Sequence, residues 1–266
     1  MGAVERRIYR DSRLAGAAHG ALGVVAGAAA GAALRSTALA TYVAVAQREL
    51  CRTATEVHDA LAAGDLELAR LLLPALVGRD PAGLDGNEIA RAVIESVAEN
   101  CVDAVVAPAL WAVAAGPSGA LAYRAVNTLD AMVGHRSPRY ARFGWASARL
   151  DDVANFVPAR ATAALVVVVR PRSAAAVWRA VRRQARAHPS PNAGVVEAAF
   201  AAALGVRLGG TNRYGERVEE RPVLGSGRQP EGADIRRAVG LTRQVTAALA
   251  ALLVAVAGSR IGRREQ

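Results

Sequence analysis

Long apolar runs broken by short polar segments set the pattern of this chain, and the run lengths predict helices rather than strands. Leu14 to Leu34 reads LAGAAHGALGVVAGAAAGAAL, an uncharged stretch of about the length that crosses a bilayer. Arg6, Arg7, Arg10 and Arg13 precede it, as in a secretory signal. Its length and the apolar segments that follow favour a membrane anchor instead. Thr37 to Ala46 is apolar but too short to span alone, which suits a re-entrant or eroded span. Gln47 to Asp85 is polar, of mixed charge and helical in character, broken by Pro74 and by the Gly78-Arg79-Asp80-Pro81 turn.

Val102 to Tyr123 is again nearly uncharged, and Pro108 and the Gly116-Pro117 pair predict a kink or split in it. Ala161 to Val169 and Val245 to Ala257 are shorter, marginal spans, and Arg260, Arg263 and Arg264 close the chain. No period-two alternation competes with these helical patterns. The expected fold is therefore all-α: a multi-span integral membrane helical bundle with cytoplasmic-type helical loops and about three to five spans. Arg179, Arg182, Arg183 and Arg186 share one helical face, with Val177, Trp178 and Val181 elsewhere. That spacing reads as an amphipathic helix on the membrane surface, or as an electropositive approach for a phosphate-bearing substrate.

Composition narrows the chemistry. The sequence is 53% hydrophobic but only 4% aromatic, so Ala, Val and Leu supply most of the apolar mass, which suits close helix packing. All of its basic residues are arginine. Without lysine there is no Schiff base, lysine nucleophile or Walker-type phosphate lysine. A net charge of +10 would suit nucleic acid, but too few aromatics are interleaved with the arginines. Membrane contact with an anionic substrate is the better reading. Cys51 and Cys101 form no metal pattern and imply no disulfide framework, and the histidines show no zinc spacing.

The polar residues set into the apolar runs are the candidate site, because such groups are costly at membrane depth unless matched. Glu88, Arg91, Glu95, Glu99 and Asp103 form one stripe on a helix, with Asn100 close by. Oxygen-only ligands suit Mg²⁺, which gives Glu95, Glu99 and Asp103 as its candidate ligands. The alternative is a solvated face with an Arg91–Glu95 pair. Asn127 and Asp130 share a face one turn apart. Arg149, Asp151, Asp152 and Asn155 form a second knot, in which Asp152 shares a face with Arg149 and Asn155. On that geometry Asp152 is the structural partner and Asp151 the metal-binding or basic residue, although either acid could be a helix cap or ion-pair partner. The run His188-Pro189-Ser190-Pro191-Asn192 predicts an extended loop. Gly205, Gly209, Gly210 and Gly215, with Arg207, Arg213 and Arg217, could cradle an anion on freed backbone amides. Gly225-Ser226-Gly227 is no dinucleotide fingerprint, because Pro230 stands where the third glycine belongs.

At these residues the chain resembles the CobD/CbiB family of cobalamin-biosynthesis proteins. The matching segments are GRDPAGLD (78 to 85), ESVAEN (95 to 100), YRAVNTLDAMVGHRSPRYARFGWASARLDDVANFVPAR (123 to 160), HPSPNAG (188 to 194) and EAAFAAALGVRLGG (197 to 210). They stand in the family's order and cover most of the chain after about residue 48. The resemblance implies one membrane domain over 1–266. Its parts would be membrane segments in 1–47, a helical core carrying the acidic and Asn/Asp motifs in 48–160, and the loop motifs between two membrane segments in 161–266.

The resemblance also implies a ligase that joins aminopropanol, or its phosphate, to the free propionate carboxyl of adenosylcobyric acid, giving adenosylcobinamide or its phosphate. ATP and Mg²⁺ are the implied cofactors, with no prosthetic group and no nucleic-acid partner. Membrane lipids and other proteins of the cobalamin pathway are the remaining expected partners, and the implied location is the inner cell membrane, multi-pass. Within that reaction Glu95, Glu99, Asp151 and Asp152 are the candidate catalytic residues. Asn127, Asp130, Arg149, Asn155, His188 and Asn192 are the candidate substrate contacts. Against the family pattern the chain is expected to be shortened at its N-terminus and around Leu34 to Arg48, and Cys101 and Val102 replace the usual Thr and Ser. A Mg²⁺-dependent membrane prenyltransferase and a non-catalytic corrinoid carrier or scaffold are the alternatives.

Overall fold

The computed structural model describes residues 2–135, 137–214 and 217–262. Of the features singled out above, Gly215, Arg263 and Arg264 lie outside the described residues. In chain order the helices are α1 (Gly2–Ile8), α2 (Arg13–Leu34), α3 (Thr37–Ala44), α4 (Gln47–Ala62), α5 (Leu66–Leu72) and α6 (Gly86–Cys101). There follow α7 (Ala107–Leu129), α8 (Trp145–Ala154), α9 (Phe156–Val169), α10 (Ala174–Gln184), α11 (Ala193–Leu204) and, after a hairpin, α12 (Gly232–Gly262). The hairpin strands are β1 (Leu208–Tyr214) and β2 (Arg217–Leu224), antiparallel. Three segments are long and apolar enough to cross a membrane: Arg13–Leu34, Gly86–Gly134 and Gly232–Ala257. A fourth is possible if α8 and α9, bent by 41°, count as one broken span. The all-α membrane bundle expected from the sequence is the observed fold.

Two compact units divide the chain: Met1–Ala46 with Asp103–Pro158, and Gln47–Val102 with Ala159–Gln266. In the first unit α2 lies against α7, and the contact is made by glycines one helical turn apart. A Cβ on Gly27 would fall 2.6 Å from the Leu121 carbonyl oxygen, and one on Gly31 would overlap the Pro117 carbonyl. Small residues on this spacing let two helix backbones approach closely, the usual packing solution where lipid offers no hydrophobic drive between helices. α3 adds Ala40 and Ala44 against Ala112 and Ala120 of α7. The predicted break in α7 falls at Ala115 and Gly116, which leave helical geometry just before Pro117. Pro108, also expected to disrupt, comes just after the π turn Val102–Val106, where the register between α6 and α7 changes.

The second unit has a conventional apolar core in which α4, α6, α11 and α12 meet. Val57, Ile89, Ile94, Phe200, Ile235 and Leu241 are fully buried in it. Asp85 and Glu88 close the start of α6 as a capping box, with Glu88 N–H to Asp85 Oδ1 at 2.8 Å and Asp85 N–H to Glu88 Oε2 at 2.9 Å. Glu88 therefore caps a helix. The expected amphipathic helix is α10, which buries Val177 and Ala180 and exposes Arg179, Arg182 and Arg183, while Arg186 is exposed on the short 3-10 turn that follows. Cys51 and Cys101 are free, buried thiols, as expected.

The hairpin is the departure from the expected all-helical pattern. Its first strand reads LGGTNRY, too rich in glycine to signal a strand. Side chains of α6 fix it from outside: Arg91 donates to the carbonyls of Gly209 and Thr211, and Glu95 Oε1 accepts the Gly209 N–H at 2.8 Å. Gly209 and Gly210 take φ of 83° and 91° at the bulge between Leu208 and Gly210, a conformation open to glycine.

The glycine contact gives a direct test. Gly31→Leu should separate α2 from α7 and lower the melting temperature and folded yield in detergent, at an overpacking cost of about 1–3 kcal/mol or more. Ala29→Leu, on an exposed position of the same helix, should leave both unchanged.

Candidate functional site

Each unit holds one polar cluster, and between them these contain most of the residues singled out in the sequence. The first unit's cluster is built on α7, α8 and two π turns, Val102–Val106 and Asp130–Gly134, which carry Asp103 and Asp130. A π turn inserts one residue into the helical register and re-aims its side chains, and such turns gather at functional sites. Asp103 Oδ2 accepts from Asn127 Nδ2 at 3.1 Å, and Arg124 Nη1 donates to Asn127 Oδ1 at 3.2 Å. The Tyr123 hydroxyl donates to Asn155 Oδ1 at 2.8 Å and lies 3.4 Å from Asp103 Oδ1. Asn155 in turn donates from Nδ2 to Asp151 Oδ2 at 3.0 Å. Asp151 Oδ1 is buried and makes no hydrogen bond. Asp130 stands close enough to Asp151 and Asp152 to feel their charge, and the absence of a Cβ on Gly134 leaves room for its carboxylate.

The face rule separates this knot only in part. Arg149 and Asp152 pair at 3.3 Å as expected, with Asp152 28% exposed at its side chain and Arg149 67%. Asn155 does not join them. It bonds to Asp151, four residues back, from the cap position just past the end of α8. Residues three and four apart both lie within reach on a helix, so spacing alone could not choose between the two acids. Tyr123 and Arg124 were missed as site residues, although Tyr123 stands one turn before Asn127 at the head of the same motif.

The second unit's cluster surrounds Glu95, Glu99 and Glu197. Glu95 Oε2 is ion-paired to Arg79, each side chain only 7% exposed, and Arg79 also donates to Asn212 Oδ1 at 2.9 Å. The Arg91–Glu95 pair considered from spacing is not formed, since Arg91 serves the hairpin. Glu99 and Glu197 hydrogen-bond to each other. Two carboxyls do this only with a proton between them, so the pair carries at most one negative charge. Burial, then the charges of Glu99 and Glu95, hold Glu197 well above the usual carboxylate range. His188 Nε2 lies 3.5 Å from Glu197 Oε1 and 3.0 Å from Arg221 Nη1, with Nδ1 3.2 Å from the Ser190 carbonyl. Burial lowers the His188 pKa, so the ring is neutral at pH 7. Nδ1–H then donates to Ser190 and Nε2 accepts from Arg221. Asn192 is engaged elsewhere, accepting from Arg160 Nη1 at 2.9 Å. Arg79, Glu197 and Arg221 were not singled out beforehand, because their partners are remote in sequence.

The metal expectation divides between these clusters. Among the described residues no three His, Cys, Asp or Glu side chains meet in a way that could hold a metal ion. Glu95, Glu99 and Asp103 do not act as one set: Glu95 has both oxygens committed, to Arg79 and to the Gly209 amide, and Glu99 is bound to Glu197. Asp103 belongs to the other unit, with Asn127 and Tyr123.

Comparison with known proteins bears on what these clusters serve. A family model described as CobD/Cbib protein matches residues 1–242. A Mycobacterium tuberculosis protein named cobalamin biosynthesis protein CobD is 54% identical over 94% of this chain and 84% of its own length. Its namesake in Geobacter metallireducens is 44% identical over 89% of this chain and 79% of its own. That of Rhodobacter capsulatus is 45% identical over 80% and 68%. No solved structure matches.

Outcomes follow for both clusters. Arg79→Met leaves Glu95 buried without its cation, at a cost of about 3–5 kcal/mol, and should sharply reduce the folded yield. Arg149→Met, in an exposed pair, should change stability by about 1 kcal/mol or less. The raised Glu197 pKa gives a pH dependence. The folded state keeps a proton that the unfolded chain releases in the ordinary carboxylate range. The contribution is therefore complete below that range and is lost as pH rises through the raised value. Thermal melts of the wild type should fall between pH 5 and pH 9, and Glu197→Gln should flatten that slope. An unchanged slope would mean that Glu197 is not the group responsible.

Proposed function

The chain belongs to the CobD/CbiB family, and we propose that it is the membrane enzyme that forms the amide bond between adenosylcobyric acid and aminopropanol or its phosphate in cobalamin biosynthesis. The proposed location is the inner cell membrane, multi-pass. One observation carries the choice of site: a buried, oxygen-rich cluster in the first unit whose Asp151 Oδ1 has no hydrogen-bond partner. A buried carboxylate oxygen left unmatched is costly, and a bound cation or a substrate proton would match it. The cluster of the second unit offers no such opening at Glu95.

ATP is the proposed co-substrate, and Mg²⁺ fits the first cluster by its donor set. Asp130, close to Asp151, offers carboxylate oxygens and no sulfur or imidazole, and Mg²⁺ is commonly held by one or two carboxylates plus phosphate oxygens, which leaves Asp151 Oδ1 to take a proton. When bound there it would neutralise phosphate charge while the carboxyl group is activated. The protein's own contribution is orientation. The Tyr123 hydroxyl fixes the Asn155 carboxamide, whose amide group holds Asp151 Oδ2, so that Oδ1 is the oxygen presented. Asn127, held between Arg124 and Asp103, stands beside the same carboxylate. An amine attacking a carbonyl must lose a proton, and a carboxylate with a free oxygen is suited to accept it.

Family membership leaves the prenyltransferase alternative without support, and turnover separates enzyme from carrier. Purified protein in lipid nanodiscs should join aminopropanol phosphate to cobyric acid only when ATP and Mg²⁺ are supplied. Asp151→Asn should reduce amide formation by at least about a hundredfold, the scale of a lost general base, with full folded yield. Asp152→Asn, which weakens a half-exposed pair with Arg149, should stay within a few-fold of wild type. Wild-type turnover by Asp151→Asn would remove this cluster from the active site.

A further inference from the structure

Outside both clusters, the second unit contains an open cavity of about 580 Å³ between α4 and α12. Its lining includes Gln47, Arg48, Arg52, Thr55 and Glu56 from one face of α4, and Arg243 from α12. Three guanidinium groups thus border one space. Arg52 is neutralised by its ion pairs with Glu49 and, at 2.6 Å, Glu56. Arg48 and Arg243 have no carboxylate partner among the described residues. Like charges facing one cavity repel. The two carboxylates on Arg52 exceed its one charge and offset part of this, but neither is paired with Arg48 or Arg243, and the cavity stays net positive.

The place of Arg243 in the sequence sharpens the point. It lies inside the candidate span Gly232–Ala257, one residue before the uncharged run Gln244 to Ser259. An arginine at the mouth of an apolar helix is costly unless it reaches water or an anion. Here it borders an open cavity, next to the Cys51 thiol, with which it makes a hydrogen bond. The remaining donors complete a recognisable set. The Gln47 carboxamide and Thr55 hydroxyl can each donate to an oxyanion, and guanidinium forks bind phosphate oxygens in pairs.

From this we infer that the α4–α12 cavity is a phosphate-binding site, held by Arg48 and Arg243 and assisted by Gln47 and Thr55. The group keeps a net positive charge, and the two guanidinium groups without a carboxylate partner are free to bind phosphate oxygens. The same chemistry would accept the phosphate of an anionic lipid headgroup, since basic pockets beside membrane helices hold such groups. The site does not depend on the assignment of the amide-forming reaction and uses none of the residues placed in it.

Binding can be read without turnover. Wild type and the Arg48→Gln/Arg243→Gln double variant would be placed in nanodiscs of neutral phosphatidylcholine and titrated with inorganic phosphate, following the melting temperature. A second arm replaces part of the lipid with phosphatidylglycerol and counts retained lipids by native mass spectrometry. The expected result is stabilisation by phosphate in the first arm, or retained anionic lipid in the second. The apparent Kd should rise about tenfold for each arginine replaced, as for loss of a charge-assisted hydrogen bond. Response in the first arm alone identifies a soluble phosphate ligand, and response in the second alone a lipid. The two positions are exposed, so the variants should fold, and circular dichroism with the single variants Arg48→Gln and Arg243→Gln checks this. Wild type and all variants responding alike in both arms would overturn the inference.

Discussion

Removing a carboxylate from water into a helix bundle of Ala, Val and Leu costs several kcal/mol unless something replaces the lost hydration. The internal organisation of both units follows from that demand. The second unit meets it almost completely. Arg79 neutralises Glu95, the Gly209 amide takes its other oxygen, and Glu99 and Glu197 reduce their joint charge by sharing a proton. The first unit meets it with neutral donors: Tyr123, Asn127 and Asn155 surround Asp103 and Asp151, but the set ends one partner short. Each cluster keeps one buried atom without a hydrogen bond, Arg221 Nε in the second and Asp151 Oδ1 in the first, but only the first leaves a carboxylate oxygen open to a ligand. Motif resemblance alone would treat the two acid groups alike, and this difference in satisfaction separates them.

The backbone of each unit is arranged to deliver these side chains. Gly27 and Gly31 bring α2 against α7, the helix that carries Tyr123 and Asn127. The two π turns shift the helical register where Asp103 and Asp130 stand, which a regular α-helix would have aimed elsewhere. In the other unit, Arg91 and Glu95 hold a glycine-rich hairpin by its main chain, so β1 needs no strand-forming side chains. Arginine is well suited to that task, since one planar fork reaches two carbonyls at once. A chain whose basic residues are all arginine carries such forks throughout.

How much of this was legible depended on the range of the interaction. Uncharged runs gave the spans, and Gly116-Pro117 gave the break in α7, because both are local consequences of composition and backbone geometry. The stripe from Glu88 to Asp103 was visible as a face, yet its residues have four different fates: a helix cap, a hairpin clamp, buried carboxyls and a π-turn acid. Their partners lie 16 residues away for Arg79 and more than a hundred for Gly209, and periodicity carries no information at that distance. The hairpin was invisible for the same reason, since tertiary contacts rather than strand propensity define it. Asn155 was assigned to the wrong neighbour because i+3 and i+4 positions are equally near on a helix surface.

The two candidate acids at 151 and 152 show how environment divides labour between chemically identical side chains. They are adjacent, about 100° apart around α8, so only one can face the interior. Asp152 is partly exposed and pairs with the exposed Arg149, so solvent screens part of that pair. Asp151 faces inward, with one oxygen fixed by Asn155 and the other presented free. Fixing one oxygen orients the second at no further entropic cost when substrate or cation arrives, which is the physical content of preorganisation. The pair of acids in the ARLDDVANFVPAR motif therefore divides into one carboxylate with an open oxygen and one paired with Arg149, and Asn155 determines how the first is aimed.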